Sequence, residues 1–327
     1  MAQPDASIAP NSGATVSGNT TAAHLNALAQ AEAQINEIIL GKSAEIRLAL
    51  TCLLAGGHLL LEDLPGVGKT TLARALAVTL GLSSQRIQFT SDLLPSDLTG
   101  VSVYQRDSGR FEFQPGPIFT HLVLADEINR GTPKTQSALL EAMAESQVTV
   151  DGVSHRLPQP FFVIATQNPV EQSGTFELPE SQLDRFLMSI RLGYPSAAAE
   201  KALLAAPERR ELLEQRSALL SREQLLEAQQ AAQQLRANDA LLDYVIALTS
   251  ATRSDPRVRV GLSPRGARGL LQAARCHASL ALRKFTLPED VQGVFVAVAR
   301  HRLILAPECR ESAAQVAQMI MESVPAI

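Results

Sequence analysis

His58-Leu59-Leu60-Leu61-Glu62-Asp63-Leu64-Pro65-Gly66-Val67-Gly68-Lys69-Thr70-Thr71 is the stretch that decides the fold. Its apolar start has no polar face and reads as a buried strand. A glycine turn follows, and from about Lys69 to Leu80 the pattern is helical. Such a turn at a helix start offers main-chain N–H groups that wrap phosphate oxygens. On the G-x-x-x-x-G-K-[ST] pattern, Leu64, Pro65, Gly66, Val67 and Gly68 form the cradle and Thr71 extends it into the helix. Lys69 meets the β- and γ-phosphates, and the Thr70 hydroxyl ligates Mg²⁺. Asp63 stands at the first position of that pattern in place of glycine, and Asp tolerates unusual backbone angles better than most residues.

Further along, His121-Leu122-Val123-Leu124-Ala125-Asp126-Glu127 reads as a second buried strand ending in two acids. In open α/β sheets ligands sit beyond the C-terminal strand ends. Asp126 is therefore placed to hold Mg²⁺, and Glu127 to accept a proton from a water attacking the γ-phosphate. A third run, Phe161–Ala165, leads to Thr166-Gln167-Asn168-Pro169, which sets the Asn168 amide beside the same water. The Asn-Lys-x-Asp string that reads guanine is missing from the sequence, so adenine is the expected base. Strands alternating with helices such as 69–80 and 134–145 imply a parallel sheet covered on both faces.

Ahead of this core, residues 1–23 show no apolar period and read as a disordered leader; helices are expected over 24–39 and 43–55. Beyond Tyr194-Pro195 the character changes to helical patterns over 197–206, 221–236, 240–252, 264–284, 288–304 and 311–323, broken by Pro207, Pro256, Pro288 and Pro307. No strand is expected there. The division is thus 1–23 leader, 24–195 α/β nucleotide-binding domain and 196–327 helical lid. Two hairpins are expected inside the α/β part. One is Val101–Tyr104 with Phe111–Phe113 about Asp107-Ser108-Gly109, and the other is Val148–Val150 with His155–Leu157 about Asp151-Gly152.

Composition narrows the function. The 327 residues carry 29 Lys and Arg against 33 Asp and Glu, a net charge of −4, which disfavours a chain-wide polyanion binder. Aromatics are only 4% with no Trp, so a base-stacking platform is poorly supplied. Between Arg253 and Arg310, however, ten arginines and Lys284 face four acids, a local +7. Contacts with phosphates or with acidic neighbours across subunits account for it better than nucleic acid does. Cys52, Cys276 and Cys309 form no C-x-x-C pair, and the six His show no metal-binding spacing. No apolar stretch approaches the ~20 residues of a membrane span. The first basic residue is Lys42, unlike a signal peptide. A cytoplasmic protein is expected.

The motifs together resemble the MoxR family of AAA+ ATPases. The resemblance runs from about residue 25 to 325 and rests on Ile39-Leu40-Gly41-Lys42, Leu61–Thr70, Leu124–Arg130 and Ala165–Pro169. Leu178–Phe186, Gly261-Leu262-Ser263-Pro264-Arg265, Pro288–Val291 and Arg300-His301-Arg302 complete the set. It implies a P-loop (AAA+) parallel-sheet domain followed by a smaller all-α lid, with ATP and Mg²⁺ bound between them, in a ring that is usually hexameric. It brings Gly41 into the nucleotide-binding set. It also makes Arg185 an arginine finger reaching the next subunit, and Arg265 the lid's sensor arginine, with Arg268 one turn on as its competitor. The hairpins would face the pore or a partner, or else extend the sheet edge. The function implied is ATP-driven remodelling of client proteins in assembly or metal insertion, often with a partner bearing a von Willebrand factor A domain. A nucleic-acid-dependent motor and a non-hydrolysing nucleotide-dependent scaffold are the alternatives.

Overall fold

The strands that carry the three candidate motifs lie side by side. In the computed structural model, which describes residues 18–168, 174–205 and 209–326, α1 (Gly18–Ile38) and α2 (Ser43–Leu54) precede β1 (Leu59–Glu62), α3 (Lys69–Thr79) and β2 (Ser84–Gln88). Next come α4 (Pro95–Thr99), β3 (Gly100–Gln105), β4 (Arg110–Pro115), β5 (Leu122–Asp126) and α5 (Pro133–Glu145). β6 (Gln147–Val150), β7 (Val153–Arg156), β8 (Phe162–Gln167), α6 (Glu180–Leu183) and β9 (Met188–Ile190) complete the α/β part. The helical part holds α7 (Ala197–Ala205), α8 (Arg209–Glu214), α9 (Arg222–Gln233) and α10 (Asp239–Ser254). It continues with β10 (Val258–Val260), α11 (Pro264–Leu280), α12 (Pro288–Ala299), β11 (Ile304–Leu305) and α13 (Ala313–Ser323).

The main sheet is parallel throughout, in the order β2-β5-β8-β1-β9. Alternate side chains sort to opposite faces. Leu59, Leu61, Leu122, Leu124, Phe162 and Ile164 join one buried cluster, which runs on through α1, α2 and α3 into the helical part. Leu60, Val123, Ala125, Val163 and Ala165 join the other, under α5 and Phe89. Truncating any of these leucines, or Ile164, to Ala would cost about 2–5 kcal/mol.

Four differences from the sequence reading have physical causes. β2 escapes the apolar pattern because it is the sheet's edge, with only Ile87 buried among Ser84, Gln85, Arg86 and Gln88. β9 is three residues long. The helical part contains strands after all: β10 and β11 pair antiparallel with a register shift at Val258/Val260, and both are too short to show a period. Finally, α1 begins at Gly18, so residues 18–23, expected in the leader, are helical; residues 1–17, Pro169 and Pro207 lie outside the described residues.

Both hairpins form, each as its own two-stranded sheet rather than as an extension of the main one. Asp151 and Gly152 both have positive φ, 51° and 78°, as a two-residue turn between right-twisted strands demands. Phe113 stacks on His155 at 3.8 Å and so joins the two hairpins, while Tyr104 and Phe111 pair edge-to-face in solvent. No helix among the described residues is long and apolar enough to cross a membrane.

Candidate nucleotide site

β1 delivers the chain into the phosphate loop and α3 takes it out. Gly66 and Gly68 have φ of 82° and 99°, a conformation other residues adopt only under strain. A Cβ at either would meet nothing within 4 Å, so glycine serves the backbone angle here and the loop faces open space. The first N–H groups of α3 have no helical carbonyl to pair with, which suits an anion. Lys69 is 9% exposed, and its Nζ donates to the Asp63 carbonyl at 2.8 Å. Burial pulls its pKa below the ordinary lysine range, while Asp126, Asp63 and Glu127 oppose that shift. The ammonium therefore sits within the field of the two acids at the end of β5.

Those acids are held from two sides. The Thr166 hydroxyl, fully buried at the end of β8, donates to Asp126 Oδ1 at 2.6 Å and accepts from the Glu127 N–H at 2.8 Å. From β2, Arg86 donates to Asp126 Oδ2 through Nη2 (2.7 Å) and Nε (3.1 Å). Gln88 Nε2 donates to Glu127 Oε2 at 2.9 Å, and Arg130 Nε lies 3.0 Å from the same oxygen. Glu127 itself is left-handed, φ 55° and ψ 52°, a strained state that such contacts must sustain. Asn168, buried, closes the end of β8. Hydroxyl and carboxylate donors from Thr70 and Asp126 suit a hard cation such as Mg²⁺, which shares its shell with phosphate oxygens and water.

Sequence reasoning missed Arg86, Gln88 and the bridging role of Thr166. The first two depend on the β2–β5 register, which sets Gln88 opposite Asp126, and no local pattern announces it.

The two candidate arginines, Arg185 and the lid's Arg265, are elsewhere. Arg185 and Arg265 share a cleft of about 480 Å³ with Arg268, Gly57, His58 and Asp184. His58 precedes β1 whereas the phosphate loop follows it, so the strand's length, ~13 Å at 3.3 Å per residue, separates the two regions. Arg265 therefore lies toward the foot of β1, on the side away from its own chain's phosphate loop, while Arg300 of the helical part reaches Glu62 at the strand's other end. Arg265 and Arg268 are exposed, and Arg185 Nη1 donates to the Leu140 carbonyl at 2.6 Å. The nearby acids Asp184 and Glu180 lie against Arg302 (2.7 Å) and Arg259 (3.8 Å). Much of the lid's basic excess is used within the chain: Arg257 meets Asp255, Arg283 meets Asp290 and Arg300 meets Glu62. Gly41, with φ 71°, packs where a Cβ would come within 3.0 Å of Ala199 near the start of α7.

Residues 58–188 match the family described as ATPase family associated with various cellular activities (AAA), and residues 250–323 match AAA lid domain. The chain is 47% identical over 300 residues to the uncharacterized protein YeaC of Bacillus subtilis, covering 92% of this chain and 94% of that one. It is 39% identical over 298 residues to chaperone MoxR1 of Mycobacterium tuberculosis, covering 87% and 77%. Its fold matches the crystal structure of a Cytophaga hutchinsonii protein with a TM-score of 0.87 and 36% identity, over 94% of this chain and 97% of that one.

Proposed function

Since the chain belongs to the MoxR family of AAA+ ATPases, we propose that it hydrolyses ATP with Mg²⁺ in a homo-oligomeric ring, usually a hexamer in this family, and uses the cycle to remodel a client protein. The observation that carries the reading is the Thr166 hydroxyl binding Asp126 and Glu127 together at the strand ends beside the Lys69 loop. In this reading the loop N–H groups and Lys69 grip the β- and γ-phosphates. Mg²⁺, held by Thr70 and Asp126, would neutralise charge on the phosphate oxygens. Glu127 takes a proton from the attacking water, whose oxygen bonds to the γ-phosphorus as the bond to the β-phosphate oxygen breaks, and the Asn168 amide orients that water.

Arg185 and Arg265, together in one cleft and remote from their own loop, suit the phosphates of a neighbouring subunit. A finger supplied in trans is worth about 10³–10⁵ in rate. The client role follows the relative named chaperone MoxR1; assembly or metal insertion, with a von Willebrand factor A domain partner and a cytoplasmic setting, is the form proposed for it. Glu127→Gln is expected to retain ATP and to lower phosphate release by about 10²-fold or more. Wild-type protein that takes up no nucleotide at millimolar ATP would refute the proposal.

A further inference from the structure

Asp63 replaces the first glycine of the phosphate-loop pattern, and its surroundings explain a carboxylate there. Its φ is not among the positive values, so the backbone at this point has no need of glycine. The residue is 6% exposed. Oδ1 accepts from the Leu64 N–H at 3.0 Å inside the loop, and Oδ2 accepts from the Gly193 N–H at 2.7 Å, 130 residues away. Its own N–H donates to the Gln167 carbonyl at 3.0 Å, prolonging the β1–β8 ladder, and its carbonyl accepts from Lys69 Nζ. Gly193 lies just past β9, with φ 62°, where the chain leaves the sheet for α7. Two neighbouring ties converge on the same passage. Lys42 Nζ donates to the Tyr194 carbonyl at 2.9 Å, and Glu62 accepts from Arg300 of the helical part at 3.2 Å.

A negative side chain beside a site for triphosphate is unfavourable unless it has work of its own. Here two main-chain N–H donors occupy its oxygens, the strong kind of carboxylate hydrogen bond. Neither donor belongs to a side chain, so the interaction fixes backbone to backbone. We infer that Asp63 is a positioning residue that ties the start of the phosphate loop to the Gly193 segment, so that the loop's grip on nucleotide and the exit of the chain toward the helical part are set by one side chain. The inference rests on the nucleotide reading above.

Asp63→Gly restores the usual loop residue and removes both bonds. It is expected to raise KM for ATP about tenfold, with a smaller fall in kcat. It should also speed hydrogen exchange of the Gly193 amide about tenfold, with or without ATP. Asp63→Asn, which keeps one acceptor oxygen, should fall between wild type and Asp63→Gly in both readings, and it carries the test if the glycine variant does not fold. KM within twofold of wild type, or Gly193 exchange equal to wild type, overturns the tether. Wild-type protein that binds no ATP refutes the nucleotide reading instead, while the exchange measurement still decides the tether.

Discussion

Thr166 shows how much chemistry one hydroxyl can organise. Its single proton goes to Asp126, and a lone pair takes the Glu127 N–H, so donor and acceptor capacity are both used. Thr166→Val keeps the shape, removes both bonds and leaves a buried N–H orphaned. The cost to stability is about 1–3 kcal/mol, read as a shift in the urea midpoint. The larger effect is on geometry: kcat/KM for ATP is expected to fall about 10²-fold, with Thr166→Ser recovering most of it. Valine at full activity would remove the bridge from the account. The motif residues around it are legible in the sequence because Asp126 and Glu127 follow an apolar run directly, and Lys69 and Thr70 close the glycine turn that follows another. Thr166 stood in the quoted string without a role, since what it touches comes from the neighbouring strand. Arg86 and Gln88 were invisible for the same reason, and the sequence offers Asp63 only as a tolerated substitute for glycine because its partner Gly193 lies 130 residues on.

At the level of elements, strands with a clear apolar run or an alternating hairpin pattern were readable, whereas the polar edge strand β2 and the two- or three-residue strands β9, β10 and β11 were not. What joins the readable strands is partly a histidine. His58, at the foot of β1, accepts the Val163 N–H on Nδ1 at 3.1 Å, so its proton sits on Nε2 and is donated to the Met143 carbonyl of α5 at 3.2 Å. This arrangement requires the neutral ring. Burial pulls its pKa from 6.5 to about 4, although the Met143 carbonyl opposes the shift. Between those values the unfolded chain binds more protons than the folded one, so stability is complete above pH 6.5 and falls as the pH drops toward 4. The loss from this group reaches about 3 kcal/mol. His301, also lowered by burial, adds a slope of the same sign. Thermal melts at steps from pH 7 to pH 5 are expected to show a shallower decline for His58→Gln than for wild type. Equal slopes would mean that His58 does not stay neutral in the fold.

For the whole molecule, the separation of two constellations matters more than either alone. One chain carries loop, acids and Asn168 at the C-terminal ends of its strands, and Arg185 with Arg265 at the opposite end of β1. The sequence contained every one of these residues but not the distance between them. Only the folding of α11 against α2 and the 55–58 turn decides on which side of the sheet Arg265 emerges. A head-to-tail ring brings the arginine side of one copy to the phosphate side of the next, since a heterologous interface pairs two different patches. That arrangement permits a test by complementation. Glu127→Gln lacks the proton acceptor but keeps its arginines; Arg185→Ala lacks the finger but keeps its acids. Each alone should be inactive, with ATP still bound by both. In rings assembled from equal amounts, a seam works when the pocket comes from the Arg185→Ala chain and the finger from the Glu127→Gln chain. Random mixing makes that about a quarter of seams, so phosphate release should recover to about that fraction of wild type. A finger acting within its own chain would give no recovery, because every pocket would then lack one of the two groups whatever its neighbour.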